Sequence, residues 1–443
     1  MLSPAHKVLL GVVAYAGITT AQQPGKLTPE VHPKLPTWEC TVEGGCVQKN
    51  TSIVLDSDYR WLHTVNGTQN CKTSGLDKTL CPDAKTCAAN CALEGVDYGS
   101  SGILTNGSEL TLSLFVNRTE GLSMSSPRVY LLANDSTYDM FSLLNRELTF
   151  DVDLSKLPCG TNGALYLSEM IADGGKGELN PAGATYGTGY CDAQCPSPPF
   201  INGEANIEGM GSCCNEMDIW EANSRATAFT PHPCNISQVY KCSGALCGNA
   251  DRFAGVCDKD GCDYNPYRLG AQSFYQPNAT VDTNRTFTVV TQFLTNTGDA
   301  TGELREIRRL YVQDGKIIEN ALVQVQGINK GNSLTDEFCE QEKKAFGNVN
   351  AFAAQGGMKG MGEALRRGMV LVFSVWDDAG SSMHWLDSTF PENADPKKDA
   401  GTGRGPCAAD VGTAANVMKN APWTSVKFSN VKSGEIGSTY KVK

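Results

Sequence analysis

Residues 213–223 read CCNEMDIWEAN and place Glu216, Asp218 and Glu221 within six positions. On a strand, residues two apart share a face. Glu216 and Asp218 therefore point the same way. Glu221 is five residues from Glu216, so a regular strand turns it to the opposite face. It joins the pair only through a bulge or at the strand's end, and bulges beside active sites commonly re-aim a side chain. Two carboxyls flanking a sugar bond are the equipment of glycoside hydrolysis. One must be ionised to attack the anomeric carbon, and the other must hold a proton for the leaving oxygen. A third acid nearby can hydrogen-bond the nucleophile and keep the two roles apart. Spacing in sequence does not give the carboxyl separation that divides retention from inversion. A solvated acidic face and a calcium loop are the competing readings. A calcium loop wants more Asp or Asn, with Gly at alternating positions. Here the acids are interleaved with Met217, Ile219 and Trp220, which suit a strand in a packed sheet. On this stretch alone all three readings stay open.

Such a strand needs a sheet around it, and strand patterns dominate the chain. Leu110, Leu112, Leu114 and Val116 alternate with polar residues over Ser108–Val116, as do Leu148, Phe150, Val152 and Leu154 over Glu147–Leu154. Period two means one buried face. Phe287–Phe293, Met369–Trp376 and Val426–Val431 are further strand candidates. Turn residues punctuate the rest, with 46 Gly and 20 Pro. The best helical pattern is Gly360–Arg367, ending before Gly368. The pattern predicts an all-β fold, a large antiparallel sandwich with long loops. No internal repeat and no Ser/Thr/Pro-rich linker is seen. Residues 22–443 are therefore expected to form a single catalytic domain without a tethered carbohydrate-binding module.

With 443 residues, 40% hydrophobic and 19% charged, the chain can bury a large core and is too weakly charged for disorder. Residues 1–21 read as a secretory signal: Lys7, an apolar run from Val8 to Ile18, and a small-residue cleavage site at Thr19-Thr20-Ala21. A membrane anchor is the alternative, but the run is shorter than the roughly 20 residues needed to span. The formal charge of −11 becomes −12 without this segment, which holds one lysine and no acid. That excludes nucleic acid and anionic membrane surfaces as expected partners. All 18 cysteines lie beyond the signal and read as a disulfide framework. Zinc is the alternative, and it is disfavoured because CxxC pairs are absent. No metal and no cofactor is expected. Eight N-x-S/T sequons, at Asn50, Asn66, Asn106, Asn117, Asn134, Asn235, Asn278 and Asn284, fit a secreted, extracellular glycoprotein.

CCNEMDIWEAN resembles the signature of glycoside hydrolase family 7, the fungal cellulases. The resemblance extends through NGALYLSEM (162–170), YGTGYCDAQC (186–195), TPHPC (230–234), NPYRLG (265–270), MVLVFSVWDD (369–378), MHWLDS (383–388) and FSNVKSGEIGST (428–439). It implies a concanavalin A-like β-jelly-roll sandwich of two curved antiparallel sheets with a long cleft. It implies hydrolysis of β-1,4-glucan with retention, by a monomer acting on a polysaccharide. Glu216 would be the nucleophile, Glu221 the acid/base, and Asp218 a hydrogen-bond partner of the nucleophile. His232 would line the site. Family-like pairing would join Cys213 to Cys195 and Cys214 to Cys191. Trp61, Trp376 and Trp385 match the family's sugar-stacking platforms, and Tyr59 stands where the processive members usually have Trp. Asn162, Tyr166, Asp192 and Gln194 are candidate hydroxyl binders.

The family contains endoglucanases with open clefts and processive cellobiohydrolases with roofed ones, and the motifs here are mixed. Only Met-Gly-Ser separates Gly209 from Cys213, where the exo members carry a long loop. DDAGSSMHW (377–385) lacks the tyrosines of the exo pattern. NALVQVQGINKGNSLTDEFC (320–339) and GELREIRRLYVQ (302–313) look like the endo enzymes. Against them, Arg252 and Arg404 match positions that bind the leaving disaccharide in the processive members. Asp258, Asp260 and Asp263 also look exo-like. The missing central loop weighs most, so the expectation is an endo-1,4-β-glucanase. A processive cellobiohydrolase is the alternative. A non-catalytic glucan-binding lectin shares the architecture, because fold does not fix function. A lectin, however, has no need for Glu216 and Glu221 together.

Overall fold

The period-two segments fold as strands in a computed structural model that describes residues 22–441. The signal segment, residues 1–21, lies outside the described residues. Boundaries shift by a few residues, to Arg146–Asp153, Phe287–Thr295, Met369–Asp377 and Ser425–Glu435. The Ser108–Val116 segment breaks in two. Glu109–Ser113 pairs with Ser425–Glu435, while Phe115–Arg118 turns away into a hairpin with Gly121–Met124. Leu114 sits at the break, with its N–H on Thr424 O.

Two sheets pack face to face as a β-jelly-roll sandwich. One runs in the order Thr137–Tyr138, Arg128–Asn134, Met369–Asp377, Thr161–Ser168, Glu216–Ala222, Thr227–His232, and every pairing along it is antiparallel. The other runs from Lys316–Glu319 through Leu304–Gln313, Phe287–Thr295, Arg146–Asp153 and Ser425–Glu435 to Thr37–Thr41 and Gly45–Lys49. One pairing in this sheet departs from the antiparallel pattern. Thr37–Thr41 runs parallel to Ser425–Glu435, with Trp38 opposite Lys432. A connection of several hundred residues separates these two strands, so no tight turn dictates their direction.

The core lies between the sheets. Leu148, Phe150 and Val152 from one sheet share a cluster with Leu165, Leu167, Met217, Ile219, Trp220 and Val375 from the other. Trp220 is fully buried at its centre, edge-on to Phe150, Tyr275, Phe287 and Tyr311 at 5.9–6.4 Å. Such edge-to-face contacts add to the area the ring buries.

The helix read at Gly360–Arg367 begins three residues earlier, at Gly357, and closes on Gly368 with φ +95°. A second helix, Asp336–Phe346, was not legible in the pattern. Its buried face carries Glu342 and Lys343 beside Phe338 and Cys339, so the sequence reads as polar there. Thr335 caps it by accepting from Phe338 N. The 18 cysteines form nine disulfides, including Cys191–Cys214 and Cys195–Cys213, the pairing the family resemblance implies. Among the described residues no helix is long and apolar enough to cross a membrane.

Because Trp220 fills the centre of the sandwich, Trp220→Ala is expected to cost about 3–5 kcal/mol through cavity formation. Denaturant unfolding of both proteins measures that loss.

Candidate active site

Glu216–Ala222 lies between Thr161–Ser168 and Thr227–His232, and its register slips against both. On one side Leu165 faces Trp220 and Leu167 faces Met217, two residues against three. On the other, Asp218 faces Thr230 and Glu221 faces Ala228. The strand therefore carries one extra residue, a bulge at Ile219–Trp220. Met217, Ile219, Trp220 and Ala222 all enter the core. Glu216, Asp218 and Glu221 all line the cleft on the other face. The residues beside Glu221 are small: Ala164 and Ala228 flank it, and Ser374 follows Ala164 on the next strand. That row leaves space above the floor of the cleft, whose volume is about 1110 Å³.

Each acid has its own partner. Glu216 Oε2 accepts from Ala193 N at 3.1 Å. Ala193 lies between Cys191 and Cys195, so the two disulfides to Cys214 and Cys213 hold that donor against the Glu216–Ala222 strand. Asp218 Oδ2 is 3.0 Å from His232 Nε2, and His232 Nδ1 is 2.9 Å from Asp258 O. The contact found for Asp218 is thus the imidazole and not the neighbouring Glu216. Glu221 Oε1 accepts from Asn162 Nδ2 at 2.8 Å, and Asn162 Oδ1 accepts from Ala222 N at 3.0 Å.

Burial first, and the Asp218 charge second, push the Glu216 carboxyl well above the usual range. The same two causes, in the same order, raise Glu221 to about 8. Like charges this close and this dry cannot all ionise, so the cluster retains a proton at neutral pH. Burial also raises Asp192. Burial disfavours a charged His232, but its hydrogen bond to Asp218 and the charges of Asp218, Glu216 and Asp258 outweigh this and raise it to about 10. His232 is therefore a cation inside the acid cluster and offsets one negative charge.

Most of the other residues singled out in the sequence also line the cleft: Tyr59, Tyr166, Asp192, Gln194, Arg252, Trp376, Trp385 and Arg404. Trp376 and Trp385 stack on each other with centroids 6.0 Å apart. The Tyr166 hydroxyl is shared with Tyr190 at 2.9 Å. Tyr190 in turn donates to Asp192 at 2.7 Å. Asn162 is wholly buried and uses its amide on Glu221 and Ala222, so here it reaches no sugar hydroxyl. Trp61 is exposed and stands outside this cleft, its Nε1 donating to Asn70 and its ring 4.1 Å from His63. Sequence reading missed Arg128, which lies 3.4 Å over the Tyr190 ring and pairs with Asp56 at 2.7 Å. It also missed Lys343, which ties the helix to Gly261 O at 2.5 Å beside His232. Neither residue sits in a local pattern that could have revealed it.

At the far end, Arg404 approaches Asp263, and Arg268 bridges Asp263 and Glu342. Burial, with Arg268 close by, pulls Arg404 down to about 10. Burial works against the Asp263 charge, yet Arg268 and Arg404 hold that carboxyl below its ordinary value. No residue between Gln194 and Glu216 lines the cleft. The short Met210–Ser212 segment lies behind the lining, with Met210 N on Asn206 Oδ1, Ser212 N on Pro196 O and Ser212 Oγ on the carbonyl of Tyr190.

A β-sandwich cleft floored by a carboxylate triplet defines a glycoside hydrolase. The model of glycosyl hydrolase family 7 matches residues 24–440, and the chain belongs to that family. A probable endo-beta-1,4-glucanase celB of Aspergillus terreus is 53% identical over 100% of this chain and 99% of that protein. The endo-beta-1,4-glucanase celB of Aspergillus oryzae is 51% identical over 97% of this chain and 98% of that protein. Among solved structures, a Humicola insolens endocellulase superposes with a TM-score of 0.85 at 46% identity, covering 94% of this chain and 100% of its own. A family 7 cellobiohydrolase from Daphnia pulex gives a TM-score of 0.90 at 43% identity, with the same coverage.

The raised Glu221 gives a stability prediction that needs no substrate. Its folded pKa lies above that of an unfolded glutamate, so its contribution is fully present below about pH 4.3 and is lost as pH rises through about 8. Glu221→Gln cannot ionise and should gain stability relative to the parent between pH 5 and pH 9. Thermal melts of both across that range check the sign.

Proposed function

We propose that the chain is a secreted endo-β-1,4-glucanase that cuts internal bonds of cellulose and related glucans with retention of configuration. The observation that supports the reading is the acid triplet on the floor of a cleft that no residue of the 195–215 segment lines. A chain can then enter sideways and need not thread from an end. Trp376 and Trp385 give apolar faces for sugar rings, and the row of Ser374, Ala164 and Ala228 leaves room for a ring over Glu221.

In this reading Glu216 attacks the anomeric carbon as the carboxylate, steadied by Ala193 N. In the reactive form the cluster's proton sits on Glu221, which gives it to the departing glycosidic oxygen. Deprotonated Glu221 then takes a proton from water as that water opens the glycosyl ester on Glu216. Cationic His232 offsets the charge of Asp218 beside the two glutamates. The basic limb of activity would follow the proton on Glu221 and fall as pH rises through about 8. Secretion rests on residues 1–21 with nine disulfides, and all eight sequon asparagines are exposed, as glycosylation requires.

A second reading, a processive cellobiohydrolase, draws on one feature. Arg252 and Arg404 stand at one end of the cleft, where the loop of residues 388–407 adds Phe390, Pro391 and Thr402 to the lining. Viscosity measured against new reducing ends on soluble carboxymethylcellulose separates the two. The expected outcome is a steep viscosity fall for few new ends, with Glu216→Gln reduced by at least ~10³-fold. Little viscosity loss, with cellobiose accumulating from crystalline cellulose, would favour the processive reading.

A further inference from the structure

Arg309 is fully buried between the sheets, on the Leu304–Gln313 strand of the sheet opposite the cleft. Its Nε donates to Thr291 Oγ1 at 3.2 Å, and its guanidinium lies 4.3 Å over Phe229 and 5.5 Å over Trp220. Among the described residues it forms no ion pair with a carboxylate. A buried, uncompensated guanidinium is costly, and a methionine of similar reach would fill the space more cheaply. What the arginine adds is a donor, and its Nη2 donates to the carbonyl of Ile219.

Ile219 is a bulge residue and is unpaired in the register with either neighbouring strand. Its carbonyl faces an apolar core, where an unsatisfied acceptor costs as much as a lost hydrogen bond. The bulge is what turns Glu221 to the same face as Glu216. We infer that Arg309 is a positioning residue for the reaction: reaching through the core, it holds the Ile219 carbonyl and thereby fixes the direction of Glu221 in the cleft. The inference rests on the assignment of Glu216 and Glu221 made above.

The test compares kcat/KM for two aryl β-cellobiosides. Phenyl cellobioside needs a proton on its leaving oxygen, whereas 2,4-dinitrophenyl cellobioside does not. Folded sites are counted by trapping Glu216 with a 2,4-dinitrophenyl 2-deoxy-2-fluoro-β-cellobioside, and kcat/KM is expressed per trapped site. Arg309→Met should lower kcat/KM by about tenfold or more on the phenyl substrate and much less on the dinitrophenyl one, since general-acid assistance is worth 10²–10⁴-fold. Arg309→Lys keeps a donor and should recover part of the loss. Thr291→Val removes only the acceptor of Nε and should shift the ratio of the two substrates in the same direction by a smaller factor. If the arginine variants do not fold, Thr291→Val decides alone. Equal losses on both substrates, or an unchanged ratio per trapped site, would overturn the inference. Glu221→Gln in the same series separates the two readings. If it too fails to discriminate between the substrates, the assignment of Glu221 is wrong. If it discriminates and the Arg309 and Thr291 variants do not, only the role of Arg309 falls.

Discussion

Three acidic side chains on one seven-residue strand cannot share a face by alternation alone, because Glu216 and Glu221 differ in parity. The extra residue at Ile219–Trp220 resolves this, and much of the fold serves it. Both flanking strands accept the slip in register. Trp220 is turned inward, and the aromatic centre of the sandwich is built around it. The opposite sheet supplies a donor for the carbonyl the bulge leaves unpaired. A strand without the bulge would bury Glu221 in the apolar core, where a lone carboxyl would sit unionised and far from any sugar.

Bringing the acids together creates an electrostatic problem, and the partners around them answer it. The Asp218 charge lies close to buried Glu216 and Asp192 and to half-buried Glu221, and it makes ionising each of those three harder. A cationic His232 against Asp218 offsets one charge. The backbone N–H of Ala193 and the amide of Asn162 each serve one glutamate, which gives the two unequal surroundings. The paired disulfides Cys191–Cys214 and Cys195–Cys213 are part of this arrangement. They fix the segment that carries Ala193 to the strand that carries Glu216, and such groups need placement to fractions of an ångström.

Different parts of the chain line different stretches of the cleft. Beside Glu221 the lining residues Ala164, Ala228 and Ser374 are small, and no residue of the 195–215 segment lines the cleft. Toward Arg404 the 388–407 loop, Arg268 and Asp263 build a charged pocket stapled to the Asp336–Phe346 helix. This explains how endocellulase and cellobiohydrolase structures both superpose well on the chain. The shared sandwich dominates such a superposition, while the mode of attack depends on a few loops over the centre.

The sequence by itself determined the longest period-two and apolar strands, the helix ending at Gly368, and the face shared by Glu216 and Asp218. Those features are local, set by period two, by glycine at a helix end, and by spacing. It also stated the condition for Glu221, a bulge, without showing that one exists. Only the tertiary structure decided that, because a bulge is a relation between strands and leaves no mark in one of them. The same holds for Asn162, whose match to a motif suggested a sugar contact but whose side chain is spent on Glu221. Arg128, Lys343 and Arg309 went unread because each acts across a long stretch of chain. The Asp336–Phe346 helix hid because charged residues occupy its buried face. Charge paired inside a fold looks, in sequence, the same as charge facing water.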